Sequence, residues 1–213
     1  MYEDAKVIPA LTAMRLPRDI LLDILDRTVG ERSNVTASDP AGTGGSETRR
    51  WCVRFLRDEP GLKGLGWIPC THAQIHGIRN DELKIKLAMI NTDACTGMPE
   101  KSPRNIAEKG AVSEQLIKLN ARSKEQSLFD EAELYPISKY DLWFYCIHIG
   151  EKYVSAEISR PDGIVAGFIT SFSERIIICR PGDKEGLRAG LGGRPPVPED
   201  FAEVEVPRVQ LRP

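Results

Sequence analysis

The amino-acid sequence predicts an α+β fold. Three observations carry that expectation. Apolar residues recur at helical spacing through the first half, one segment there alternates apolar and polar positions, and the last third is a series of β-rich segments joined by short turns. The regular strand–helix–strand rhythm of a doubly wound sheet is missing from the pattern. The expectation is therefore a helix-rich N-terminal half with one or two strands, an antiparallel β-meander in the C-terminal third, and an extended Pro-rich tail.

Composition allows such a core. Of 213 residues, 41% are hydrophobic and 28% charged, which excludes a disordered chain. A net charge of -2 gives no global pull toward nucleic acid or anionic membrane, so a polyanion would need a local basic patch. No apolar run approaches the roughly 20 residues of a membrane helix. The opening "MYEDAKVIPALTAM" is acidic where a secretory signal is basic. Cys52, Cys70, Cys95, Cys146 and Cys179 are odd in number and scattered, which reads as reduced thiols in a cytoplasmic protein.

"PRDILLDILDRTV" (17–29) reads as the first helix. Pro17 suits its first position, Asp19 its positive end and Gly30 its cap, with Ile20, Leu21, Ile24, Leu25 and Val29 on one stripe. Residues 31–47 are polar, with Pro40, Gly42, Gly44 and Gly45, and read as a flexible loop. A second helix follows, capped by Ser46 or Thr48, with Trp51, Cys52, Phe55 and Leu56 inward. Arg50, Arg54 and Arg57 share its outer face at i, i+4 and i+7. Pro60 ends it.

"ELKIKLAMI" (82–90) alternates as a half-exposed strand, with Glu82, Lys84 and Lys86 on its wet side. Ser102–Pro103 opens a short helix closed by Gly110, and "AVSEQLIKLNARSKEQ" gives another with Val112, Leu116 and Leu119 inward. "YDLWFYCIHI", "KYVSAEIS", "GFITSF" and "RIIIC" then read as strands. A two-residue turn at Gly150–Glu151 pairs Ile149 with Lys152, placing Asp141 opposite Arg160 and Glu157 opposite Phe144. Residues 1–182 are expected to form one domain, and 183–213 an extended Pro/Gly-rich arm.

The chemistry-bearing candidates start with "DPAGTGGSETRR". In a phosphate cradle, Gly44, Gly45 and Ser46 would offer amides at a helix N-terminus while Arg49 and Arg50 add charge-assisted bonds, Arg50 closing over the anion. The stretch lacks the Gly-Lys-Ser/Thr of a nucleotide loop and an apolar strand before it, so its plainer reading is a mobile connection. A second basic stretch holds Lys101, Arg104, Lys109, Lys118, Arg122 and Lys124. Adjoining the Arg50–Arg54–Arg57 stripe, it would make a phosphate-backbone track.

Cys70, His72, His76 and Cys95 raise zinc, but neither a Cys-x-x-Cys pair nor a zinc-protease glutamate accompanies them, and no metal site is assigned. Glu157 shares a strand face with His148, Cys146, Tyr153 and Ser155. There it could act as base or ligand with His148 beside it, although such a face is more simply solvent-exposed. Glu82 and Lys84 reproduce a Glu-x-Lys nuclease spacing.

The leading expectation is binding of a phosphate-bearing partner, nucleic acid foremost, through Arg50, Arg54, Arg57 and the helix around Lys118. The second is a Mg²⁺-dependent nuclease or phosphodiesterase using Glu157 or Glu82/Lys84. The third is an assembly subunit that docks or self-associates through its C-terminal arm, with no membrane partner in any of them.

Overall fold

A computed structural model describes residues 4–72, 75–121 and 140–183. Two helices open the chain, α1 (Asp4–Ala13) and α2 (Arg18–Arg32), then α3 (Thr43–Asp58) and the single turn α4 (Pro60–Gly64). Strands β1 (Trp67–His72), β2 (Ile75–Asn80) and β3 (Ile85–Asn91) precede α5 (Ala111–Ala121). Strands β4 (Asp141–Ile149), β5 (Val154–Val165) and β6 (Phe168–Cys179) follow. All six lie in one sheet in chain order.

The fold is α+β, but the sheet is mixed and not a purely antiparallel meander. β3 and β4 run parallel, and every other neighbouring pair is antiparallel. A parallel pair needs a crossover, and α5 lies within it, so one strand–helix–strand unit sits at the centre of the sheet. Both strands of this pair are buried on both faces, as a central parallel pair demands.

Helices α1–α4 cover one face. Leu21, Ile24, Leu25, Cys52 and Leu56 pack there against Trp67, Ile78, Leu87, Trp143, Tyr145 and Ile158. Each fully buried side chain of this size contributes roughly 1.5–3 kcal/mol. Two large polar-tipped side chains on that side find backbone acceptors: Tyr145 Oη donates to the Leu21 carbonyl at 2.8 Å and Trp67 Nε1 to the Arg15 carbonyl at 2.8 Å. On the other face α5 sets Leu116 and Ile117 against Leu142, Phe144 and Ile169.

Several local expectations are corrected. The first helix runs through Gly30 to Arg32. The second begins at Thr43, inside the stretch read as a loop, with Gly42 as N-cap at φ 82 and no side-chain cap from Ser46 or Thr48. Gly44 and Gly45 occupy its first turn, where two side chains approach them closely. A Cβ on Gly44 would lie 3.3 Å from the Arg32 guanidinium, and one on Gly45 would lie 3.3 Å from Asn91 Nδ2, which donates to the Gly45 carbonyl at 2.9 Å.

Residues 102–110 form no helix, and "GFITSF" and "RIIIC" are one continuous strand. Lys86, expected on a wet face, is 1% exposed. The β4–β5 turn has four residues, Ile149 pairing Val154, so Glu157 stands opposite Cys146 and not Phe144. A shift of two residues leaves each side chain on its expected face. Asp141 and Arg160 still pair, diagonally, at 3.2 Å. The C-terminal arm from residue 184 onward lies outside the described residues.

Candidate functional site

The basic residues of α3 divide into three groups. Arg57 is not on the outer stripe. It turns in, donating to the carbonyls of Gly77 at 3.1 Å and Cys70 at 2.6 Å and to Thr71 Oγ1 at 2.7 Å, and so locks α3 onto the β1–β2 hairpin. Arg50 and Arg54 stay outward, with side chains 63% and 59% exposed. Their guanidinium carbons lie 5.1 Å from the centroid of the Trp51 ring, one from each.

Trp51 stacks on Phe55 at 5.6 Å, and its indole N–H donates to Glu47 at 2.8 Å. The indole is half-buried and held by these contacts, with both guanidinium groups over its ring. Carboxylates accompany these cations loosely. Glu47 lies 3.3 Å from Arg50, and Asp58 lies 3.7 Å from Arg54. Exposed pairs of this kind contribute little and release their cations readily.

Arg49 forms the third group. It faces β2, and together with Ser46, Arg50, Val53 and His76 it lines a cavity of about 350 Å³ between α3 and the sheet. Register explains the histidine's position: His76 pairs Thr71 on the face that carries α3, whereas Cys70 pairs Gly77 and projects to the other face. Cys70 and His76 therefore diverge, and among the described residues no group of three His, Cys, Asp or Glu could hold a metal ion.

Cations on α3 and on the sheet act on the residues around the cavity. Burial first, then Arg49, Arg57 and Lys86, hold the His76 imidazole below its ordinary pKa. Burial and then Arg49 push the Lys109 ammonium down to about 8, against a smaller opposing effect from Cys146. Arg49, Arg50 and His76 bring two guanidinium groups and an imidazole to one cavity, donors of the kind that hold an anion. The α3 N-terminus adds to them. Among the described residues the amides of Gly44 and Gly45 have no hydrogen-bond partner, so the positive end of the helix dipole is open there.

The two expected basic surfaces do not merge through Lys118. That residue is on α5, on the opposite face of the sheet from α3, 65% exposed and 3.9 Å from Glu114. Of the second stretch, Lys109 is the member that approaches Arg49, while Arg122 and Lys124 lie outside the described residues. Arg49 and Lys109 are legible as members of the two basic stretches, whereas His76 joins them through folding alone, since no local motif links a strand histidine to a helix 27 positions earlier.

Glu157 is fully buried on the face away from α1–α4, where solvent exposure was expected. Arg175 grips it through Nε at 2.9 Å and Nη2 at 2.7 Å, Ser159 Oγ donates at 2.6 Å and the Gly97 amide at 2.9 Å. Arg175 also donates to the Met98 carbonyl at 3.1 Å. This carboxylate is a strut tying the 93–98 loop to β5 and β6.

Gly97 has φ 73, and a Cβ would lie 2.7 Å from the Cys179 carbonyl. Gly97→Ala is expected to cost roughly 1–3 kcal/mol, read from the urea midpoint; an unchanged midpoint would show that the loop adapts freely. His148 Nδ1 stands 3.2 Å from the Thr92 carbonyl, and its ring tilts against Tyr153 at 5.6 Å. Glu82 sits in the turn before β3 and pairs Arg15 at 2.7 Å, while Lys84 lies over the Tyr140 ring at 5.6 Å. Among the described residues no helix is long and apolar enough to cross a membrane. No known protein family, characterised protein or solved structure shows significant similarity to the chain.

Proposed function

We propose that the protein binds single-stranded nucleic acid along α3, with a phosphate in the Arg49–Arg50–His76 cavity and a base against Trp51. The observation that carries this reading is the shared Arg50. It lines the cavity and also lies over the Trp51 ring. Arg54 extends the cationic edge by one helical turn, about 5.4 Å. An aromatic set among arginines suits an unstacked base, because stacking tolerates any sequence and the cations follow the backbone. A paired duplex offers no free base face to it.

The hydrolytic reading has less support. Glu157 and Glu82 are each engaged by an arginine, and Lys84 is turned to Tyr140. An assembly role through the C-terminal arm concerns residues outside those described.

The test is fluorescence anisotropy with a labelled single strand of about 12 nucleotides, within the site sizes usual for such surfaces. Binding should weaken steadily with salt and exceed that of the matching duplex. Absence of binding at low ionic strength, or salt-independent binding, would overturn the proposal.

The reading also fixes a pH dependence. In the free protein burial, then Arg49, Arg57 and Lys86, hold the His76 imidazole below its ordinary pKa, and Thr71 Oγ1 lies 3.3 Å from its Nδ1. A bound phosphate favours the imidazolium and so raises that pKa, making binding proton-linked. Affinity should therefore rise as pH falls through the imidazole range, and His76→Gln should flatten the profile. An equal slope in both proteins would place the phosphate elsewhere.

A further inference from the structure

The cavity between α3 and the sheet offers more charge and more donors than one link of a nucleic-acid backbone can use. Arg49, Arg50, the His76 imidazole and the Ser46 hydroxyl line it, and among the described residues no carboxylate does. An internal phosphodiester brings a single negative charge and two free oxygens, which one arginine fork can engage. A phosphate monoester brings about −1.5 to −2 charges at neutral pH and three free oxygens. Two arginine forks, an imidazole and a hydroxyl match the monoester.

Size and setting agree with that match. The cavity measures about 350 Å³, inside the roughly 300–1,000 Å³ of small-ligand sites, so it has room for a phosphate with the sugar that carries it. Outside it the cationic edge of α3 is short. Arg54 follows at one helical turn, and Arg57 turns in to the Gly77 and Cys70 carbonyls. Beyond Arg54, at 3.7 Å, stands the carboxylate of Asp58, 68% exposed, which repels a backbone running further along the helix. The footprint on α3 is thus two phosphates with a base between them. On so short a footprint, an anchored strand end supplies the affinity that a long basic track would otherwise give.

We propose that the cavity takes a terminal phosphate monoester, so that the protein holds single strands by a phosphorylated end. The end phosphate sits on Arg49, Arg50 and His76, the adjoining base lies against Trp51, and the next phosphate reaches Arg54. The inference rests on the single-strand reading and specifies which part of the strand enters the cavity.

The test measures anisotropy at neutral pH for three strands of one sequence, about 12 nucleotides long, each with an internal dye. One carries a 5′-phosphate, one a 3′-phosphate, and one hydroxyls at both ends. At least one phosphorylated strand should bind the full chain about tenfold tighter than the hydroxyl strand, the gain expected of a further charge-assisted hydrogen bond. A gain confined to one of them gives the direction in which the strand runs along α3. Arg49→Gln should remove the preference, whereas Arg54→Gln should weaken all three strands alike and keep it. The preference is a ratio read in the unaltered protein, so the test survives if a variant fails to fold. Strand binding with no preference for a phosphorylated end would overturn this inference and leave the single-strand reading intact. Binding of none of the strands would overturn both, and a preference that survives in a folded Arg49→Gln protein would place the end outside the cavity.

Discussion

Replacing Arg175 with methionine is expected to lower the free energy of unfolding by about 3–5 kcal/mol, the cost of stranding a buried charge. The carboxylate of Glu157 is fully buried and the guanidinium of Arg175 nearly so, at 0% and 8% exposure. Two parallel N–H donors from the arginine, the Ser159 hydroxyl and the Gly97 amide satisfy both carboxylate oxygens. Without the arginine, Ser159 and Gly97 must hold the charge alone, and the Met98 carbonyl loses its donor. Removing both charged groups, as in Arg175→Met with Glu157→Leu, should recover much of the loss, because the desolvation penalty goes with them. Urea denaturation of the two single variants and the double variant gives the coupling. A single variant as stable as the parent would show that water reaches Glu157.

Trp51→Ala is expected to weaken single-strand binding by about 1–3 kcal/mol, roughly 5- to 150-fold. Its salt dependence should stay unchanged, because the indole neutralises no phosphate. Arg50→Gln and Arg54→Gln should behave differently, each flattening the logarithmic salt slope by about 0.7 for every phosphate left without its cation. Anisotropy titrations at several salt concentrations separate the two signatures. Circular dichroism guards against a trivial cause, since Trp51 also rests on Phe55. Equal affinity in all three variants would remove α3 from the interface.

Much of this was legible in the residues. The apolar stripe of Leu21, Ile24, Leu25 and Val29 identifies α2 and its buried side, and alternation assigns the faces of β4 and β5 correctly. Local pattern failed where tertiary contacts decide. Pro9 obscures α1, in which it lies inside the helix. Pro69 and Gly77 break the strand signature of β1 and β2. Lys86 occupies the polar slot of an alternating strand, yet the parallel partnership with β4 buries that slot.

The candidate site was legible in its arginines and not in its shape. Arg50 and Arg54 are exposed as spacing requires, but Arg57 finds strand carbonyls one turn later. Glu157 carries no local sign of its fate, because Arg175 and Gly97, which enclose it, lie 18 residues ahead and 60 behind.

The parallel seam between β3 and β4 has a kinetic consequence. Every other strand pairing joins segments close in sequence and can form soon after the chain collapses. The seam alone must wait for the long excursion from Asn91 to Asp141 to close. The helices with β1–β3, and the β4–β6 hairpins, are two early units whose meeting sets the pace of folding. Until they meet, β3 and β4 each present a bare apolar edge, which makes the interval before docking the one in which the newly made chain is most prone to aggregate.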